Sequence, residues 1–304
     1  MRPMVVNYAI RSSLAASWVH PLKAALLACV LAALMTPRPI LAQDLKVATW
    51  NLDWLTTRPA SARYLPPDVT VRQDAEMARL AAYARELNAD VIALEEVDNH
   101  EAVATLFPPD AYSVHMTRDH VMQRVGIAVR RGIPYDIHPD LTALAQEHLR
   151  SGADITLHLR NHDLRLLAVH LKKGCSHRSL TRTPSGACRE LAAQIDPLRQ
   201  WIRDRTHANE AFLILGDFNR WMDGRDPFLQ SLNSAAPLAR ATEGHSSPCW
   251  GGENFIDHIL AGGPAITWMQ PDSLKVLVYR ETDPSLKDRL SDHCPVSVQI
   301  VVPE

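Results

Sequence analysis

Apolar positions along the chain recur at two periods, and the changes of period mark the elements. "VATWNLDWL", Val47 to Leu55, is rich in branched and aromatic residues and begins as a strand. A loop rich in Pro and Arg follows over residues 57–69. Thr70 and Gln73 have the spacing of a capping box. Met77, Leu80, Ala81, Ala84 and Leu87 then fall on one helical face, and Asn88 can end the helix. "DVIALEEV" returns as a strand, which completes a strand–helix–strand unit. "VGIAVRR" is a further strand, and "DITLHL" and "LRLLAVHL" flank "RNHD" as a hairpin. Leu191, Ile195, Leu198 and Ile202 mark a helix that Pro197 kinks. "AFLIL" is a short buried strand, and Asp226-Pro227 starts a helix with Asp as cap. "FIDHILAG", "SLKVLVY" and "PVSVQIVV" are late strands. Strands outnumber helices, and hairpins occur beside helical crossovers. The pattern predicts an α/β or α+β sandwich with mixed sheets. No repeat or internal boundary interrupts residues 43–304, so a single domain is expected there.

The first 42 residues have another pattern. Arg2, Arg11 and Lys23 precede the apolar run Ala24 to Met35, and "PRPILA" leads to a cleavage site near Ala42. The run is too short to span a bilayer and fits the core of a signal peptide. The expectation is an exported protein, periplasmic or secreted, with no membrane insertion after cleavage. An uncleaved N-terminal anchor is the alternative. The mature chain of about 262 residues is long enough for one large domain with a sizeable core.

Charge and cysteine content narrow the partners. With the leader's four basic residues set aside, 28 basic residues face 34 acidic ones, a formal charge of −6. Such a chain is no general polyanion binder. Lys172 to Arg189 and Arg118 to Arg131 are nevertheless locally basic, either as phosphate-facing surfaces or as ordinary solvated segments. Outside the leader the cysteines are Cys175, Cys188, Cys249 and Cys294. Export permits disulfides. A Cys175–Cys188 bridge would restrain a loop rich in Ser, Thr, Gly and Pro, worth about 3 kcal/mol by chain entropy. Cys249 with Cys294 is the pairing left by subtraction. The spacings do not fit a zinc site.

Candidate chemistry sits where apolar runs stop. "LILGDFNR" ends a buried strand and sets Asp217 and Asn219 two residues apart, on one side of an extended segment. A turn alone would explain that much. The motif has company, however. Asn51 and Asp53 end "VATWNLD", Glu95 and Glu96 end "DVIALEE", and His170 nearly ends "LRLLAVHL". Asp257 and His258 interrupt "FIDHIL", and Asp292 and His293 introduce "PVSVQIVV". Several buried carboxylates need a common partner, and a cation is one.

In these motifs and their order, the chain resembles the endonuclease/exonuclease/phosphatase superfamily, as an exported bacterial-type member. "WNLDWL", "DVIALEEV", "AVHLK", "LGDFN", "FIDHIL" and "SDHCPV" span nearly the whole mature chain. The resemblance implies the deoxyribonuclease-like fold, a four-layer sandwich of two mixed β-sheets packed face to face with helices outside. It implies a metal-dependent hydrolase of phosphate esters. Asn51, Glu96 and Asp292 match metal-site residues, with Asp53 and Glu95 as supporting or second-site carboxylates. Hard oxygen ligands suit Mg2+ or Mn2+, and Ca2+ is a further candidate. Asp217 matches the residue that activates water, and Asn219 the amide beside it. His293 matches a phosphate-contacting histidine oriented by Asp257. His170 matches a second phosphate-side residue and candidate general acid. Two positions depart from the family. Glu95 stands where glutamine is usual, and Gln123 stands where a glutamate partners the first histidine. His258 reads as structural.

A nuclease acting on DNA or RNA is the expected function, with a nucleic acid substrate and no implied stable protein partner. The basic loop after His170 can track a backbone, and Trp221 and Trp250 are candidate base-stacking residues. The alternatives are an exported phosphodiesterase or phosphatase for small or lipid phosphates, of the inositol phosphate or sphingomyelin type, and an inactive binding module.

Overall fold

The computed structural model describes residues 43–304 apart from Tyr64, Asp68, Glu147 and residues 182–184. The expected leader and its cleavage site near Ala42 lie outside the described residues. Two six-stranded sheets carry the fold. The first runs, edge to edge, Lys275–Val276 (β11), Val296–Val302 (β12), Gln43–Leu55 (β1), Val91–Val97 (β2), Arg124–Arg130 (β4) and Tyr112–Met116 (β3). The second runs Tyr135–Ile137 (β5), Ala153–Leu159 (β6), His162–His170 (β7), Ala211–Asp217 (β8), Asp257–Gly262 (β10) and Leu238–Arg240 (β9). Each sheet has one parallel pair, β1 with β2 and β7 with β8, among antiparallel neighbours. A parallel pair needs a long crossover. Helix Asp74–Leu87 (α1) supplies it for β1 and β2, and helices Gly186–Ala193 (α3) and Ile195–His207 (α4) for β7 and β8.

Alternation along the strands builds the layers. Leu45, Val47, Val91 and Ala93 of the first sheet meet Leu166, Ala168, Leu213, Leu215 and Ile259 of the second in an aliphatic core. The opposite face of the first sheet presents Trp50, Leu52, Ile92 and Leu94 to α1 and helix His100–Leu106 (α2). That of the second presents Leu167, Val169, Phe212 and Ile214 to α3, α4 and helix Pro227–Asn233 (α5). Helix–sheet–sheet–helix is the four-layer arrangement that the resemblance implied.

Several local expectations need correction. The cap of α1 is Gln73 rather than Thr70, and its partner is Glu76, whose Oε2 accepts from the Gln73 N–H at 2.7 Å. Tyr83 rather than Ala81 completes the buried face of that helix, and Asn88 ends it in the left-handed region at φ 43°. Pro197 does more than kink. The chain breaks at Gln194 into α3 and α4, and proline sits in the first turn of α4, where it lacks no needed donor. Asp226 caps α5 as expected, accepting from Leu229 N–H at 3.2 Å. "SLKVLVY" gives only the two paired residues of β11, because the rest leaves the sheet edge. Both cysteine pairs are bridged, Cys175 to Cys188 and Cys249 to Cys294. Among the described residues, no helix is long and apolar enough to cross a membrane.

Gly216 has a φ of 146°, and a Cβ there would lie 1.9 Å from the carbonyl oxygen of Val169, its partner in the parallel pair. Gly216→Ala must therefore part β7 from β8 just before Asp217. The expected loss is about 3 kcal/mol or more. Urea unfolding measures it, and a loss under about 1 kcal/mol would show that the pair can shift freely.

Candidate active site

The inter-sheet faces are aliphatic along most of their length and polar at one end. Stepping by two along β1 gives Val47, Thr49 and Asn51, and along β2 Val91, Ala93 and Glu95. β7 gives Leu166, Ala168 and His170, and β8 gives Leu213, Leu215 and Asp217. In register, His170 lies beside Asp217, and Asp217 beside Asp257 at the start of β10. Across the layer, Asn51 lies beside Glu95. The two rows join where Asn51 Nδ2 donates to Asp217 Oδ2 at 3.1 Å. The site thus stands at the C-terminal ends of both parallel pairs.

Bulges bring further side chains into reach. β1 slips register with β2 after Asn51, and β2 slips with β4 after Leu94. Asp53, Trp54 and Glu96 there have φ of 42°, 61° and 58°. Bulges re-aim side chains near active sites, and such backbone costs about 1–2 kcal/mol per residue. Glu95 and its neighbour Glu96 consequently both serve the site. Glu96 accepts from Asn51 Nδ2 at 3.3 Å and from Gln123 Nε2 at 2.6 Å. Asn51 Oδ1 accepts from the Asp53 N–H at 2.9 Å.

Asp217 is almost fully buried and amide donors surround it. Asn219, itself at φ 51°, donates its N–H to Oδ1 at 2.7 Å and its Nδ2 to Oδ2 at 3.0 Å. Burial pushes the Asp217 carboxyl up to about 7 against the pull of His293 and these donors. Facing it, His293 Nδ1 donates to Asp257 at 2.9 Å, and His293 Nε2 lies 3.8 Å from Asp217 Oδ2. Burial alone would lower this ring, but Asp257 and Asp217 outweigh it and carry His293 well above the ordinary histidine value. Ser291 Oγ accepts from His293 N–H at 3.0 Å and donates to Asn51 C=O at 2.7 Å, tying this strand entry to β1.

His170 stands differently. Its ring is buried, lies 3.5 Å from Asp217 Oδ2, and has Arg150 Nη2 at 2.6 Å from Nε2. Burial first, then Arg150, holds it well below the ordinary histidine value. A neutral imidazole that accepts from a guanidinium at one nitrogen keeps its one N–H on the other. Gln123 does not replace the family's glutamate as a partner of His170, since it serves Glu96. Arg150, which the sequence reading missed, brings the fixed positive charge. It lies in an aperiodic loop, and only its contact with the His170 ring in space marks it.

The acidic side of the site is crowded. Burial, then Asp292 and Glu96, raise Asp53 to about 6. Glu95 is fully buried on Thr49 Oγ1 at 3.0 Å, and burial followed by Asp257 and Asp217 raises it well above the carboxylate range. Hard oxygens that repel one another in this way fit a divalent cation. Asp217, Asp257 and His293 also present ligand atoms within 4.8 Å of one another, a second set that can hold an ion.

Two candidates are structural. His258 Nε2 donates to Arg220 C=O at 2.9 Å, and its Nδ1 accepts from Thr242 Oγ1 at 2.6 Å. Trp250 donates its Nε1 to Ser291 C=O at 2.8 Å and stacks on Tyr279, so its ring holds the site's frame. The basic stretch Arg118 to Arg131 is divided as well. Arg130 pairs with Asp90 at 2.9 Å, at the end of the sheet away from the site.

Residues 48–293 match the Endonuclease/Exonuclease/phosphatase family, and the chain belongs to that family. It is a metal-dependent hydrolase of phosphate esters. No curated protein matches it in sequence. Among solved structures, TDP2 from C. elegans is similar over 91% of this chain and 81% of its own, with a TM-score of 0.59 at 16% identity. D. rerio TDP2 complexed with single-strand DNA product gives 0.59 at 17% identity, over 86% of this chain and all of its own. The 3′-5′ exonuclease NExo from Neisseria meningitidis gives 0.59 at 16% identity, over 85% of this chain. At such identities the likeness is one of fold.

His258 makes stability depend on pH. Burial holds its ring down at about 3, while an unfolded histidine titrates near ~6.5. The neutral ring's contribution is whole above ~6.5 and is lost as pH falls, because only the unfolded chain takes the proton. From pH 7 to pH 5, wild type should lose about 2 kcal/mol more than His258→Asn. Urea unfolding of both at the two pH values checks this, and equal losses would show that the ring is protonated in the fold.

Proposed function

We propose that this chain is an exported nuclease that cleaves a phosphodiester by in-line attack of water. The observation that carries the reading is the facing pair at the sheet ends. A carboxyl tuned to about 7, Asp217, stands 3.8 Å from a histidine kept cationic by Asp257. Near neutral pH a base and a cation of this kind suit an attacking water and a phosphate oxygen respectively. Asp217 accepts the proton of the water as the new P–O bond forms, the ester P–O bond opposite it breaks, the leaving oxygen takes its proton from solvent, and Asn219 holds Asp217 in place. His293 and Arg150 stabilise charge on the phosphate oxygens, and neutral His170 positions Arg150. Asn51, Glu96 and Asp292, with Asp53, would hold the divalent ion, Mg2+ or Mn2+ by their hard oxygens. When bound, that ion supplies Lewis-acid stabilisation of the phosphate.

Polynucleotide as substrate is supported by two proteins of similar fold. D. rerio TDP2 holds a single-strand DNA product, and the Neisseria 3′ phosphatase NExo holds a product DNA hairpin. The loop following His170 adds lysines and arginines beside the site. Export agrees with two disulfides, which persist in oxidising compartments.

Purified chain should open closed-circular DNA or cut RNA with Mg2+ or Mn2+, and chelator should stop it. Asp217→Asn and His293→Ala should each lower kcat by about a thousandfold. Arg150→Ala should lower it about a hundredfold, because its charge is fixed but shared with His293. Folded protein that cuts neither polymer, but hydrolyses bis(p-nitrophenyl) phosphate, phosphoinositides or sphingomyelin, would replace the nuclease reading with the small-phosphate or lipid one.

A further inference from the structure

Among the described residues, Trp221 is the one aromatic ring in the set of exposed large hydrophobics, at 39%. It lies two residues past Asn219, and its N–H donates to Ser176 C=O at 2.8 Å. His177, the next residue on that loop, stacks on it with ring centroids 4.6 Å apart and planes at 25°. The scaffold beneath is rigid. Cys175 is bridged to Cys188, and buried Arg220 donates to Cys175 C=O at 2.6 Å and Arg178 C=O at 2.7 Å while paired with Asp226. An apolar ring fixed in this way at the surface, beside a reaction centre, is preorganised for contact.

A cavity of about 310 Å³ adjoins it, lined by Trp221, Arg240, His245, Asn254 and Phe255. Arg240 Nε is shut off from solvent and has no partner. Asn254 and Phe255 also line the small recess against Asp257 and His293. The cavity therefore adjoins the recess beside Asp257 and His293, on the β10 side.

We propose that Trp221, His177 and this cavity form a subsite for one unpaired nucleobase flanking the scissile phosphate. The proposal rests on the nuclease reading and narrows it to strands that are single or frayed at the cut. A base inside a duplex has both faces stacked, so an aromatic platform engages it only once it has left the stack. Trp221 supplies the ring face, and Arg240 sets a positive charge in the cavity wall.

The test uses end-labelled single-stranded oligodeoxynucleotides in which one abasic residue is walked across the strand. In wild type, bonds next to the abasic residue on one side should be cut about tenfold more slowly in kcat/KM. Trp221→Ala should be slow on the intact strand and show no further penalty for the abasic residue. Trp221→Phe, which keeps a ring, should retain most of the penalty. A full penalty in Trp221→Ala overturns the proposal. Equal cutting of intact and abasic strands by wild type overturns it and leaves the nuclease reading standing. If wild type cuts neither strand but hydrolyses bis(p-nitrophenyl) phosphate, the nuclease reading fails and the subsite falls with it.

Discussion

Four carboxylates, Glu95, Glu96, Asp217 and Asp257, are buried at one end of one aliphatic layer. Such a cluster is costly, because burial and mutual repulsion act on all of them together. The structure offsets that cost in three ways. Glu95 is driven toward its neutral form. Asn51, Asn219 and Gln123 aim amide N–H groups at the charges that remain. His293 is driven the other way and becomes the counter-ion of both Asp257 and Asp217. Asn51 is the joint of the scheme. It donates to Asp217 in one sheet and Glu96 in the other, so the two sheets cannot separate there without exposing both carboxylates.

The backbone is shaped to keep those donors in place. Paired bulges on β1 and β2 put strained residues at the same level of the sheet. Such strain persists only where the surroundings hold it, and the surroundings here are the packed aliphatic faces below and the helix layers outside. The disulfides act on the rim. Cys175–Cys188 closes the loop after β7, and Cys249–Cys294 fixes the residue next to His293 to the segment before β10. Arg72 does a similar task without a covalent bond, donating to the carbonyls of Leu52, Asp53 and Leu290.

What could be read in the sequence was what repeats with strand period. Asn51, His170, Asp217 and Asp257 each continue an alternation that the aliphatic residues have already set, so a polar residue in that phase faces the layer. Glu96 is out of phase with Ala93 and Glu95, and only its left-handed backbone explains its presence; the resemblance, not the period, pointed to it. Arg150 has no periodic neighbours at all. His258 read as structural because lone histidines beside apolar runs usually are, and the strand shows why: Asp257 takes the site-facing phase, so the next residue faces away. Trp250 and Trp221 look alike in sequence, but a single hydrogen bond to Ser291 and a ring beneath it assign Trp250 to the frame. Edge strands such as β5, β9 and β11 are short, and two or three residues leave too little alternation to detect.

Charge sets the terms on which such a site can hold a polyanion. Residues 43–304 are net acidic, and part of the basic loop is spent internally, with Lys172 paired to Glu190 at 2.9 Å. Few phosphates can therefore be neutralised at once, and counterion release can supply only a modest share of affinity. A nuclease built on those terms has to draw binding energy from elsewhere. Stacking is the term that does not depend on net charge, since every base has a π-face. An exposed tryptophan held rigid two residues beyond Asn219 is where that term would enter. It would also explain why the loop carrying His177 is bridged rather than left free: a platform that must reorder before each contact returns much of its gain as entropy.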